Sequence, residues 1–206
     1  MKIFDIGANL GNFCQACINT IPEVEVIIVE ANNSLVDSLK SRFARNNVTI
    51  LHNAISNENN VDINFYISNA HTISTCSKKW IEDSRFTNEY NWDKVITVKT
   101  ITIDHLIELY GIPDILKIDV EGYEYNALQG LTKKVNKICF EWAEESLEEI
   151  KLSCEYLKNL GYDQFGYIFA DEYLKEPDTY TDYNNFNLFN DLNPSRREKW
   201  GMIWVK

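Results

Sequence analysis

Short apolar runs and stretches of helical periodicity take turns along the first part of the chain. Lys2–Ile6 is an apolar run that meets Gly7 directly, and residues 10–18 then repeat apolar side chains at helical spacing. Glu25–Glu30 (EVIIVE) predicts a second buried strand, Leu35, Leu39 and Phe43 mark a helix over about 34–46, and residues 48–51 make a third strand. Each strand in such an alternation must return over the same sheet. The pattern therefore predicts parallel strands with right-handed crossovers, the doubly wound α/β class.

The period then changes. Residues 61–67 and 95–101 alternate or are β-branched, and they predict a hairpin-like insertion, about 61–101, around a polar loop at 68–94. A loop of that length inside a compact domain usually carries function. Beyond it the pattern predicts a short helix at 104–110, a central strand at 114–120 (DILKIDV) and a turn with a short helix at 122–130. A strand at 137–142 and a helix at 146–160, stopped by Gly161, follow. Phe165–Phe169 and 202–205 are the last two strand candidates, and the acidic, Tyr- and Asn-rich stretch between them, about 170–200, is a candidate acceptor segment. No repeat, low-complexity tract or convincing boundary interrupts the 206 residues, so one domain over 1–206 is expected.

Charge narrows the partners. A formal charge of −11 with no cluster of Lys or Arg disfavours nucleic acid and leaves small uncharged or cationic ligands open. No apolar stretch approaches the roughly 20 residues needed to span a bilayer, so no membrane partner is expected. Five cysteines, an odd number in a chain large enough to do without staples, point to reduced thiols and a cytoplasmic setting. Cys14 and Cys17 have redox spacing but fall inside the first predicted helix, and they read as packing.

Candidate chemistry begins where the first strand ends. Asp5, Gly7, Ala8, Asn9, Gly11 and Asn12 form an Asp-x-Gly-x-x-x-Gly turn between strand and helix, where backbone N–H groups approach a polar ligand. A dinucleotide fingerprint would need glycine where Asn9 and Asn12 stand, so the spacing suits an aminoacid-nucleoside instead. Gly7 and Gly11 then leave room for its bulk, and Asp5 accepts hydrogen bonds from its ammonium or from the loop. Glu30, 23 residues past Gly7, closes the second strand where an acidic side chain accepts both ribose hydroxyls. The blander alternatives are a tight turn without a ligand and a solvated strand end. Asn53, on the same rim as Ala54 and Ile55, is placed to bond an adenine edge, or else simply ends the third strand.

Together, DIGANLGNF, the strand-ending VEA, HNAIS and LKIDVEGYEYNALQG resemble the FkbM family of S-adenosylmethionine (SAM)-dependent methyltransferases over roughly 5–141. The signature Asp119-Val120-Glu121-Gly122-x-Glu124 is its specific part. The resemblance implies a class I methyltransferase (Rossmann-like) fold, a seven-stranded, mostly parallel sheet with an antiparallel last strand and helices on both faces. It implies SAM as cofactor and adds Phe13, Ala31 and Asp119 to the contacts named above. It further implies O-methylation of a sugar, glycan or similar polyhydroxylated acceptor, and association with, or fusion to, glycosyltransferase-type domains. Relatives usually carry a helix before the first strand. Its absence here leads to the expectation that polar loops cover the cofactor or that the domain is attached to something upstream.

Methyl transfer to a hydroxyl requires alignment of donor and acceptor and a base for the proton. Asp119 and Glu121 sit two apart at a strand end, so extended geometry projects both carboxylates to one side, beside Gly7, and two carboxylates in one pocket push one pKa up. Glu124, a turn into the next helix, is placed to orient a neighbour. Ion-pair or capping roles are the alternatives for all three. A metal-free reaction is expected; a version with Mg²⁺ on Asp119, Glu121 and Glu141 ranks below it, because the spacing fixes no octahedral set. His71, in the polar stretch HTISTCS, is the histidine best placed to serve the acceptor as a base, weighed equally against a plain exposed loop residue. His52 and His105 read as strand-end and helix-start residues. Trp80, Phe86, Tyr90 and Trp92 in the insertion, and Tyr167, Tyr173, Tyr180, Tyr183, Phe186 and Phe189 near the end, suit stacking on sugar faces, although satellite packing is the commoner fate of such residues. Glu144, Glu145, Glu148 and Glu149 read as a solvated helix face. The rival of a different class is a non-catalytic SAM- or glycan-binding domain of the same fold within a larger glycan-processing protein.

Overall fold

The computed structural model describes residues 1–191 and 198–206, so positions 192–197 of the candidate acceptor segment lie outside the described residues. The predicted alternation is present as β1 (Lys2–Ile6), α1 (Asn12–Thr20), β2 (Glu25–Glu30), α2 (Asn33–Arg42) and β3 (Val48–His52). A two-residue strand that the pattern did not show, β4 (Ala54–Ile55), precedes the antiparallel hairpin of β5 (Asp62–Ile67) and β6 (Lys94–Ile101), with α3 (Lys78–Asp83) in its loop. The order continues through α4 (Ile103–Tyr110), β7 (Ile115–Ile118), α5 (Glu124–Leu128), β8 (Ile138–Ala143), α6 (Leu147–Asn159), β9 (Phe165–Phe169), α7 (Leu188–Asp191) and β10 (Trp200–Val205). Asn32, Ser77 and Thr102 start α2, α3 and α4 by accepting from the N–H groups of Ser34, Trp80 and His105.

The main sheet has seven strands in the order β3-β2-β1-β7-β8-β10-β9, and β10 is antiparallel to both of its neighbours. Alternation along the strands splits the core into two layers. Phe4, Ile6, Leu116, Ile118 and Phe140 pack with Leu106, Leu128 and Leu157 on one face, whereas Ile3, Val26, Ile28 and Ile115 pack with Phe13, Cys14, Cys17 and Leu39 on the other. Full burial of such a side chain contributes about 1.5–3 kcal/mol. All five cysteines are free, and the buried Cys14 and Cys17 have the packing role expected of them.

The strand order reverses between β1 and β7, and ligands of open α/β sheets bind outside the strand carboxyl ends at such a point. Polar residues occupy the α1 face there. Asp5 and Lys117 are direct register partners, with Lys117 Nζ 3.4 Å from Asp5 Oδ1 and 3.1 Å from Asp119 Oδ2. Burial alone would lower the lysine pKa, but Asp119 and Asp5 outweigh it and hold the ammonium protonated.

The insertion is docked onto the body of the protein. Arg85 reaches Glu145 at 2.8 Å and Lys79 reaches Glu149 at 2.6 Å, so two of the four glutamates expected to be merely solvated instead hold the insertion in place. No helix among the described residues is long and apolar enough to cross a membrane.

Replacing Lys117 by Met strands Asp5 and is expected to cost about 3–5 kcal/mol, read by urea denaturation at neutral pH. The double variant Asp5→Asn with Lys117→Met should lose less than the single one; an equal or larger loss would contradict the pairing.

Candidate active site

A cavity of about 480 Å³ opens at the reversal point, walled by the loops after β1, β2 and β7 and by the insertion. Gly7 makes the junction, with φ +73 and no space for a side chain, since a Cβ would stand 1.8 Å from the Asp119 carbonyl oxygen. Beside it, the Asn9 N–H donates to Glu30 Oε2 at 2.8 Å, while the Asn32 N–H donates to Oε1 at 2.7 Å. Glu30 thereby ties the Gly7 loop to the end of β2. Each of its oxygens retains a further lone pair, and the side chain lines the cavity. Burial pushes its pKa up to about 7, against the pull of those two N–H groups.

Of the residues expected to hold a cofactor, Gly7, Ala8, Asn9, Asn12, Phe13, Glu30, Ala31, Asn53, Ala54 and Asp119 line this one cavity. Asp5 and Gly11 do not. Asp5 is wholly buried and paired with Lys117, itself a lining residue. Gly11 caps α1 against Phe43 and Leu39, and the space it leaves serves helix packing rather than a ligand. The Asn53 side-chain N–H donates to the Lys99 carbonyl at 3.0 Å, which leaves its amide oxygen for a ligand. His52 and His105 stand apart from the cavity, His52 beside the Ala31 carbonyl and His105 beside Glu108.

The other end of the cavity is acidic. Carboxylate oxygens of Asp119, Glu121 and Glu141 lie within 4.8 Å of one another, a set whose oxygen chemistry also matches a hard divalent cation. The expected extended geometry is not what brings Asp119 and Glu121 together. β7 ends at Ile118, and Glu121 adopts a left-handed φ of +53, so a turn makes the two carboxylates converge. Glu124 braces that turn by accepting the Val120 N–H at 2.9 Å, and burial pushes its pKa up to about 7. Burial, reinforced by Asp119 and Glu124, raises Glu121 well above the usual carboxylate range, and burial with Glu121 does the same for Glu141.

Lys117, Arg85, Tyr123, Asp171 and Trp200 are among the lining residues to which the sequence pattern assigns no role. Lys117 had a visible signal, a lone charge inside an apolar strand, whereas the others are brought in by tertiary contacts. Burial raises the Asp171 pKa to about 6. His71 is exposed on the rim, its carbonyl accepting from Asn9 Nδ2 at 3.4 Å. Of the ten aromatic residues considered for stacking, Phe86 and Tyr173 reach the cavity. Trp92 donates to the Ile73 carbonyl within the insertion, and Phe186 joins Tyr167, Phe189 and Phe165 in a ring cluster that Tyr183 extends from Phe165. Tyr173 meets Phe13 edge-on at 6.4 Å, so the connection after β9 frames the Gly7 end.

A family model described as Methyltransferase FkbM domain matches residues 5–169. The hexuronic acid methyltransferase AglP of Haloferax volcanii is 28% identical over 176 residues, spanning 76% of this chain and 65% of that protein, slightly less than two thirds of its length. Among solved structures, the fibrillarin of Aeropyrum pernix, crystallised with natively bound S-adenosyl-L-methionine, is similar with a TM-score of 0.54 at 11% identity, over 100% of this chain and 66% of that one. The precorrin-6y C5,15-methyltransferase of Geobacter metallireducens gives 0.50 at 13% identity, over 100% and 78%. These likenesses show the fold, which is the class I methyltransferase arrangement.

The raised carboxyls have a consequence for stability. Glu30 and Glu124 hold their protons up to about 7 in the folded state, against about 4.5 when exposed. Across that window the native state binds more protons than the unfolded chain, so the unfolding free energy falls as pH rises. Thermal unfolding of the ligand-free protein should give a higher midpoint at about pH 5.5 than at about pH 7.5, with Glu124→Gln narrowing the gap. A midpoint that climbs steadily across this range would refute the assignment.

Proposed function

The chain belongs to the FkbM methyltransferase family, and from that premise we propose that it transfers a methyl group from SAM to a hydroxyl oxygen of a sugar or glycan. One observation carries the reading: the Gly7 turn, the Glu30 carboxylate and the Asp119, Glu121 and Glu141 group line a single cavity. The lining fits SAM by its chemistry. Glu30 offers two acceptor oxygens to ribose hydroxyls, Asn53 an amide oxygen beside the apolar Ala54 and Ile55 for an adenine, and the turn at Gly7 to Asn9 a polar backbone for the amino-acid end. When bound, SAM supplies an activated methyl group.

The protein's own groups then have two tasks. Glu121, whose surroundings raise its proton affinity, takes the proton of the acceptor hydroxyl, while Asp119, fixed by Lys117 at 3.1 Å, orients that hydroxyl. His71 on the rim is an alternative proton acceptor. Phe86, Tyr123, Tyr173 and Trp200 offer ring faces to a sugar, and Arg85 with the carboxylates offers partners for its hydroxyls. The relative that acts on hexuronic acid supports a sugar as the acceptor class.

Calorimetry with SAM, followed by mass detection of methyl groups added to a panel of neutral and uronic-acid oligosaccharides, tests the proposal. EDTA should leave turnover unchanged, in keeping with a metal-free reaction. Glu30→Gln should weaken SAM binding about tenfold or more, the loss expected for a charge-assisted hydrogen bond. Absence of SAM binding by the unaltered protein would end the proposal, and binding without turnover across the panel would favour a non-catalytic binding domain.

A further inference from the structure

Glu121 is left-handed at φ +53, and Gly122 follows at φ +79. A residue with a Cβ stays in that conformation only where its surroundings impose it. The imposing contacts come from the insertion between β5 and β6. The buried Thr75 donates its hydroxyl to the Glu121 carbonyl at 2.7 Å, and Thr75 Oγ1 in turn accepts the Ser77 N–H at 2.8 Å. Thr75 is itself fixed by a two-way backbone bridge to Tyr66 of β5, at 2.8 and 3.0 Å. Ser77 caps α3, and Trp80 of that helix lies over Gly122 so closely that a Cβ there would stand 2.9 Å from the ring. The turn is thus gripped from two sides, and Glu121 lines the cavity beside Asp119 and Glu141.

We infer that the Thr75 hydroxyl is a positioning group that sets the place of the Glu121 carboxylate in the cavity. Thr75 does not line the cavity and acts through the backbone of Glu121. The inference rests on the reading of Glu121 as proton acceptor. It makes the insertion a two-part device: Arg85 and Phe86 wall the acceptor end, while Thr75 in the same segment fixes the base. Seating of the insertion and placement of the carboxylate are then one event.

Three variants of the full chain test this. Thr75→Val keeps the shape and removes donor and acceptor, Thr75→Ser keeps both, and Thr75→Cys keeps a weak version of each. Thr75→Val should lower kcat by about tenfold to a hundredfold, the range for a reacting group misplaced by up to an ångström. It should also move the acidic limb of the kcat–pH profile while leaving the KM for SAM within about twofold. Thr75→Ser should restore most of kcat, and Thr75→Cys should fall between, which serves if Thr75→Val does not fold. Wild-type kcat and pH profile in Thr75→Val, or a Thr75→Ser variant as impaired as Thr75→Val, would overturn the inference. An unaltered kcat in Glu121→Gln, or a wild type inactive on every acceptor, would instead remove the reading of Glu121 and the inference with it.

Discussion

A charged lysine in the middle of a central strand is the constraint around which this molecule is organised. Lys117 is in register with Asp5 on the neighbouring strand and two residues from Asp119, and burial leaves neither Lys117 nor Asp5 free to exchange its partner for water. A slip of one residue between β1 and β7 would turn Lys117 toward the apolar layer of Leu116 and Ile118. The ion network therefore fixes the two strands whose ends form the site. It also reaches the loop above, because Lys117 Nζ donates to the Gly7 carbonyl at 3.2 Å.

On that base the protein gathers acids that would rather be in water. Glu30, Glu121, Glu124, Glu141 and Asp171 all have raised pKa values for the same leading reason, burial, and the packing of the two core layers must sustain them. Two of these acids are stitched to backbone N–H groups, and those stitches double as construction. Glu30 joins the loops after β1 and β2, and Glu124 closes the turn after β7. Glu30 thus both faces the cavity and shapes its loops, whereas Glu124 works from behind the turn that carries Glu121.

Features carried by local signals were legible in the sequence. The alternation of EVIIVE-type runs with helical spacing predicts β1 to β3, and the Gly7 turn, Glu30 and the DVEG stretch all fall at one sheet edge as expected. Within the same motif Asp5 stands between Phe4 and Ile6, a parity that turns it toward α1 and Lys117 and leaves it off the cavity lining. The convergence of Asp119 with Glu121 has the right partners but a different cause, a left-handed residue that no periodicity announces. Arg85 with Glu145 and Thr75 with Glu121 join positions 60 and 46 residues apart, and pairings of that span leave no trace in a window of a few turns.

The place of β10 bears on how the protein is made. Because it lies between β8 and β9, β9 has no neighbour in the sheet until a strand synthesised after it arrives. The Gly7 loop, Glu30 and the acidic turn all lie within β1 to β8, so these parts of the site are synthesised before β9 and β10. Asp171 and Tyr173 belong to the connection that this late strand pins, through the Ala170 N–H to the Trp200 carbonyl. The wall that Asp171, Tyr173 and Trp200 give the pocket is therefore the last of it to be synthesised, and its place depends on β10 entering between β8 and β9.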